Sequence, residues 1–303
     1  MNSGPCISVI IPTLEREKEL CDTLRYFLEK ETYGPFEVIV VDQSDLHTAE
    51  TRAFLESARD RITHARINFR SQPGAINLGV RLAAGEIIVI VDDDVEPQPG
   101  FLAAHADGYK ISGVTAVTGP VLRQKAPLRS RMDIGEERYS KLIEGKIMMF
   151  NVDFGFTAQW APCCNVSFNK VFFDAIGGYD ENFYGCGVPI GHDAEIHGRV
   201  KRAGGRLYST PGACVIHKHV ASGGCRTVTD PGQRLKCLLF NRLYFYRTLN
   251  TRGRGWVIAV WRLARLEVLT RKALREGKLP VLCFYFVIAL AQACARLSRI
   301  PQR

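Results

Sequence analysis

Apolar residues fall in short runs, each closed by a polar residue. Ile7-Ser8-Val9-Ile10-Ile11 ends at Pro12-Thr13. Phe36-Glu37-Val38-Ile39-Val40-Val41 ends at Asp42, and Ile87-Ile88-Val89-Ile90-Val91 runs into Asp92-Asp93-Asp94. Continuous β-branched runs of this kind predict strands buried on both faces, as in a parallel sheet. Between them the period changes. Leu20, Leu24, Phe27 and Leu28 recur at helical spacing behind Glu15, Glu17 and Glu19, acids that suit the positive end of a helix dipole. A second helix is expected over 49–58. A third opens at Gln72-Pro73-Gly74, carries Ile76, Val80 and Ala83 on one face, and has Gly85 beyond its end. Three strand–helix units in series predict a doubly wound, mostly parallel α/β sheet. All three strands end on one edge, where Thr13, Asp42 and Asp92 are expected to converge.

The pattern is less regular after Pro97 and Pro99. A helix is expected over 101–109, a strand over 114–119, and a loop region able to act as a lid over 122–150. An aromatic stretch follows, with Phe154, Phe156 and Trp160. Gly177-Gly178 marks a turn, and Gly185, Gly187 and Gly191 make a permissive loop. A helix then begins near His192-Asp193, with Ile196, Val200 and Ala203 on one face, and stops at Gly204-Gly205. Ala213-Cys214-Val215-Ile216 reads as a short strand ending at His217. From Gly232 onward the chain is helical and basic. Leu279 to Ala295 holds no charged residue over seventeen positions. As a helix that is about 25 Å, short of the roughly 20 residues a membrane span needs. A membrane-surface hairpin and a docked core helix both fit it. This divides the chain into 1–105, 106–228 and a basic helical extension over 229–303.

Charge sharpens that division. Residues 226–303 hold sixteen Lys/Arg and three Asp/Glu, a charge of +13, while the preceding 225 residues carry −4. The basic extension suits an anionic membrane surface. Nucleic acid is not expected, because the apolar 279–295 stretch is ill suited to facing phosphates. Ten cysteines without a C-x-x-C pair predict reduced thiols and no zinc site. No basic segment and apolar core precede Ile7, so no secretory leader is expected.

The acid triplet carries the first chemical signal. A desolvated carboxylate is costly unless a cation meets it, so the strand must end at Asp92. Alternate acids, Asp92 and Asp94, can hold a hard divalent cation against a phosphate. A solvated acidic turn is the other reading.

The segments 7–13, 38–45, 72–97, 164–181 and 192–217, in this order, resemble family 2 glycosyltransferases of the A-type fold. The resemblance covers about 7–220. It implies a doubly wound, mostly parallel sheet, here followed by a C-terminal helical extension. It implies a nucleoside-diphosphate sugar as donor, a saccharide or lipid-linked acceptor, and Mn2+ or Mg2+ as cofactor. It places Asp42 toward the nucleotide base, Asp92 near the ribose, and Asp94 on the metal with Asp92. Thr13, Asn77, Asp93 and Arg226 join the donor side. His217 stands at a metal-side position and Asp193 at that of the catalytic base. Trp160 and His192 fall on the acceptor side. His192-Asp193 replaces the family's usual Glu-Asp, and Leu14-Glu15-Arg16 replaces its Asn-Arg.

Several residues keep a second reading. Asp193 also suits a helix N-cap, His217 an ordinary strand end, Trp160 the core, and Arg226 one more basic residue of the extension. Asp42 could accept from the imide of uracil or thymine or from N1–H of guanine, so UDP, dTDP and GDP all stay open. The expected function is an inverting, metal-dependent glycosyl transfer in polysaccharide or glycolipid assembly. It is placed in the cytoplasm, peripheral on the inner membrane face. A sugar-phosphate nucleotidyltransferase would need a Gly-rich, basic loop after the first strand, and Pro12-Thr13-Leu14-Glu15 is not one. A non-catalytic, membrane-associated nucleotide binder would be expected to lack one of Asp42, Asp92, Asp94 or Asp193.

Overall fold

The computed structural model describes residues 4–144, 146, 151–183, 191–220, 223–224, 231–248 and 254–297. Strand β1 (Ile7–Thr13) leads into α1 (Lys18–Arg25), which continues as a π turn over Tyr26–Lys30. β2 (Phe36–Asp42) and α2 (Ala49–Ser57) follow. After an edge strand β3 (Thr63–Arg66) come α3 (Gln72–Leu82) and β4 (Ile87–Val91). All pairings in this half are parallel, in the order β3-β2-β1-β4.

Burial on two faces explains the β-branched runs. Val9, Ile11, Val38, Val40, Val89 and Val91 pack on the α1–α2 side. Ile10, Ile39, Val41, Ile88 and Ile90 pack on the α3 side. Each such side chain stabilises the fold by about 1.5–3 kcal/mol relative to exposure. A Cβ at Gly79 would lie 2.5 Å from Ile10 Cγ2, so glycine there lets α3 sit close on β1. Strand β3 carries no apolar signal. Its Thr-His-Ala-Arg sequence is part-exposed at the sheet edge.

The rest of the chain extends the same sheet. β5 (Val95–Pro97), α4 (Phe101–Gly108), β6 (Val114–Thr118) and β7 (Val121–Leu122) come first. Then come α5 (Arg131–Ile143), β8 (Phe156–Ala158), β9 (Asn165–Asn169) and α6 (Lys170–Ala175). α7 (His192–Arg202), β10 (Arg206–Ser209) and β11 (Val215–His217) complete this part. β9 inserts antiparallel between β4 and β6, giving eight strands in the order β3-β2-β1-β4-β9-β6-β10-β8. β5, β11 and β7 form a separate small sheet, in which His217 pairs with Val95. That register brings His217 beside the acid triplet.

The loop expected over 122–150 contains α5. A Ser130–Asp133 capping box opens this helix, and Ile134 and Leu142 are buried. Gly135, at φ 72°, breaks the helical path and with it the apolar period. The basic extension forms α8 (Pro231–Thr248), α9 (Arg254–Leu263), α10 (Arg271–Arg275) and α11 (Leu279–Leu297). Phe286 and Leu290 of α11 and Trp256 and Val260 of α9 pack on Phe240, Leu243 and Tyr244 of α8. No helix among the described residues is long and apolar enough to cross a membrane. Cys237 on α8 is disulfide-bonded, which corrects the expectation that all ten thiols are free.

Candidate active site

The acids at the end of β4 are held by four residues from two segments, one at the end of β1 and one at the end of β11. Thr13 Oγ1 donates to Asp93 Oδ2 at 2.7 Å. Buried Arg16 places Nε 3.3 Å from Asp93 Oδ1 and Nη2 3.4 Å from Asp94 Oδ2. His217 Nε2 lies 2.8 Å from Asp94 Oδ1 and 3.6 Å from Asp92 Oδ2. The Val220 amide donates to Asp94 Oδ2 at 3.2 Å. Asp93 and Asp94 are buried, whereas Asp92 keeps 23% of its side chain exposed and faces the crevice.

Their protonation differs with their partners. Burial pushes Asp93 up to about 7 against the pull of Arg16 and Thr13. Burial also lifts Asp92 to about 6; His217 opposes the shift, and the charges of Asp94 and Asp193 add to it. At Asp94 burial is overcome by the His217 imidazole and by Arg16, and its carboxyl falls to about 2. Crowded acids of this kind favour a bound cation, which would relieve their mutual repulsion.

Asp193 stands across the crevice. Gly191, at φ 108°, is the N-cap of α7 and makes no side-chain cap bond, so Asp193 lies inside the first turn and is not the cap. His192 is buried, with Nε2 3.1 Å from Asp193 Oδ1, and neither ring nitrogen has a well-aligned hydrogen bond. Burial would lower the imidazole pKa, but the facing carboxylate raises it. The same pairing holds Asp193 below its ordinary value despite burial. The Cys163 thiol, a His192 nitrogen and an Asp193 oxygen lie within 4.8 Å of one another. Gln72 joins the two acid groups: its Nε2 lies 3.3 Å from both Asp92 Oδ1 and Cys163 Sγ. Gln72 and Cys163 therefore link Asp92 to Asp193.

Other expected site residues are placed differently. Asp42 is fully buried at the end of β2. Its Oδ2 accepts from Nε2 of both His47 and His64 at 2.9 Å, and its Oδ1 from the Ser44 amide at 2.9 Å. Burial is outweighed by these bonds, and the carboxyl stays well below the usual range. Asp42 is thus sealed from solvent, unlike a carboxylate that meets a base directly. Asn77 ties α3 to the Gly178 turn. Its amide donates to Tyr179 O and Glu181 Oε1 at 2.8 Å, and its Oδ1 accepts from the Tyr179 amide at 2.9 Å. It is not turned to the acid triplet. Trp160 is half-buried, three residues before Cys163. Arg226 lies outside the described residues. Arg16, Gln72 and Cys163 were not expected in the site. Only Arg16 had a local signal, being a cation just past the end of β1.

The donor set suits a hard divalent cation. Two carboxylates and one imidazole approach one another, with Cys164 Sγ within 4.8 Å of Asp92 and His217 donor atoms. Burial raises the Cys164 thiol well above its ordinary value and so favours its neutral form. Oxygen and nitrogen therefore supply the ligands.

An α/β sheet with acids gathered at the carboxyl ends of its strands, extended by antiparallel strands, is the A-type glycosyltransferase fold. Residues 8–168 match the family model described as Glycosyl transferase family 2, and the chain belongs to that family. This sets aside the nucleotidyltransferase alternative. Chondroitin synthase of Escherichia coli is 26% identical over 275 residues, 80% of this chain and 39% of that protein. Validoxylamine A glucosyltransferase of Streptomyces hygroscopicus subsp. limoneus is 28% identical over 226 residues, 64% of this chain and 49% of that protein. The chain thus spans less than half the length of either relative. A mannosyltransferase, PcManGT from Pyrobaculum calidifontis in complex with GDP-Man and Mn2+, has a TM-score of 0.57 at 17% identity. It covers 97% of this chain and 88% of its own. GalNAc-T7 with UDP, GalNAc and Mn2+ has a TM-score of 0.59 at 13% identity, over 81% of this chain and 50% of its own. These two likenesses establish the fold.

Proposed function

We propose that this chain transfers a sugar from a nucleoside diphosphate to an acceptor hydroxyl, with inversion at the anomeric carbon. The observation that carries this reading is the contact chain in which Gln72 and Cys163 join the Asp92–Asp94–His217 group to Asp193. Asp94, Asp92 and His217 would hold Mn2+ or Mg2+ on the donor diphosphate. The cation supplies neutralisation of the charge that develops on the leaving group. Thr13, Asp93 and Arg16 form the floor that keeps the triplet in place. Asp193, kept ionised beside His192, takes the proton of the acceptor hydroxyl as it adds to the sugar. Direct displacement by one activated hydroxyl inverts the reacting carbon. Trp160, ahead of the Cys163 turn, is suited to stack on an acceptor sugar.

The likeness to chondroitin synthase supports a role in polysaccharide or glycolipid assembly. The basic extension supports work at the inner face of a membrane, on a saccharide or lipid-linked acceptor. Calorimetry with UDP, GDP and dTDP, each with and without Mn2+, tests the donor half. One nucleotide is expected to bind at least about tenfold more tightly with Mn2+. Equal affinity with and without the ion for all three would overturn the metal assignment.

A further inference from the structure

We propose that the outward faces of α9 and α11 form a dock for an anionic lipid bilayer, which seats the Asp193 crevice at that surface. The inner faces of both helices are occupied by the α8 core. Their outer faces are not apolar by accident of one residue. Val257, Ile258 and Trp261 on α9 are each more than half exposed, and so are Val281, Phe284 and Val287 on α11. The α11 residues recur every third position and so form one stripe, which Ala291 continues on the exposed side. Leu269 and Leu274, between the helices, are more than half exposed as well. Soluble proteins rarely leave so many large apolar side chains of neighbouring elements to water.

Charge selects the occupant. Arg262, Arg265, Arg271, Arg275 and Lys278 are exposed among these apolar side chains. The Arg265 guanidinium lies over the Trp261 ring at 5.5 Å. Glu276, an exposed acid of this stretch, pairs with Lys278 at 2.7 Å. Apolar residues that can enter an acyl boundary, with arginines beside them for lipid phosphates, fit a helix pair lying in the plane of an anionic membrane. A two-fold dimer through the same face would set these cations against their own copies.

The dock is tied to the chemistry by α8. Tyr244 Oη donates to Asp180 Oδ2 at 2.8 Å, and the Phe183 ring meets Tyr244 edge-on at 5.0 Å and His192 at 6.3 Å. A Cβ at Gly191 would lie 3.2 Å from Phe245 Cβ. α8 therefore touches the first turn of α7, where Asp193 sits. The role given to the crevice here rests on the sugar-transfer reading above; the dock itself does not.

Flotation of the full chain with phosphatidylcholine vesicles, with and without phosphatidylglycerol, tests it. Two surface variants are compared: Trp261→Glu with Phe284→Glu, and Arg262→Glu with Arg265→Glu. The unmodified chain is expected to float with phosphatidylglycerol vesicles and to be released by salt. Each variant should partition at least about tenfold less. Circular dichroism and Mn2+-dependent nucleotide binding should be unchanged in both, which keeps folding and donor binding apart from docking. No flotation of the unmodified chain, or flotation that both variants retain, overturns the proposal. So does a dimer that the same substitutions dissociate, which would assign the face to a second copy. Failure of nucleotide binding in the unmodified chain would instead count against the transfer reading.

Discussion

Asp193→Asn is expected to lower sugar transfer by about 10²–10⁴-fold while leaving Mn2+-dependent nucleotide affinity unchanged. The amide has nearly the same shape as the carboxylate, but it cannot accept the acceptor's proton. Asp193 lies on the far side of Gln72 from Asp92, outside the Asp92–Asp94–His217 group, so the donor side keeps its ligands. The change also removes the anion that faces buried His192 at 3.1 Å. A thermal melt of the variant separates lost chemistry from lost packing. Transfer assays over a donor titration check the rest: kcat should collapse with little change in donor KM. Transfer at the unmodified rate would overturn the base assignment.

The second large effect is expected at Asp94. Asp94→Ala should weaken Mn2+-dependent nucleotide binding by at least about 100-fold, as read by calorimetry. Asp94 is the point where His217, Arg16 and the Val220 amide meet, so its loss takes away one ligand and disorients another. Asp94→Asn keeps the shape and most hydrogen bonds but removes the charge. If charge on the cation is what matters, it should resemble alanine more than the unmodified chain. Metal-independent nucleotide binding should survive in both variants, because Thr13 and the strand edge stay in place.

The parallel half of the fold was legible because its strands are buried on both faces. Only β-branched and other apolar residues satisfy that environment, and the first polar residue marks each strand's end. Strand β3 and helix α5 were not legible, for opposite reasons. β3 is a part-exposed edge strand of polar residues, and α5 loses its period at Gly135. In the crevice, the acids could be found because several adjacent carboxylates cannot be buried without a cation. Thr13 and His217 could be placed with them, but the pairings made by Arg16 and Gln72 could not. Arg16 meets Asp94 across 78 residues and Gln72 meets Cys163 across 91, distances at which no local pattern survives. Asp42 makes the same point in reverse. Its position at a strand end was readable, but the two histidines that seal it were not, since His47 turns back from the following loop and His64 comes from the neighbouring strand β3.

The division of labour between the two acid groups can be tested by locating the ion. Two clusters of the described residues could each hold a metal: Asp92 with His217 and Cys164, and Asp193 with His192 and Cys163. Crystals grown with Mn2+ and a nucleoside diphosphate would show the ion in an anomalous difference map. The expected result is a peak on Asp94, Asp92 and His217, with the Asp193 carboxylate unligated and open to an acceptor. A peak on Cys163, His192 and Asp193 instead would contradict the account, because the group required to take the proton would already be bound.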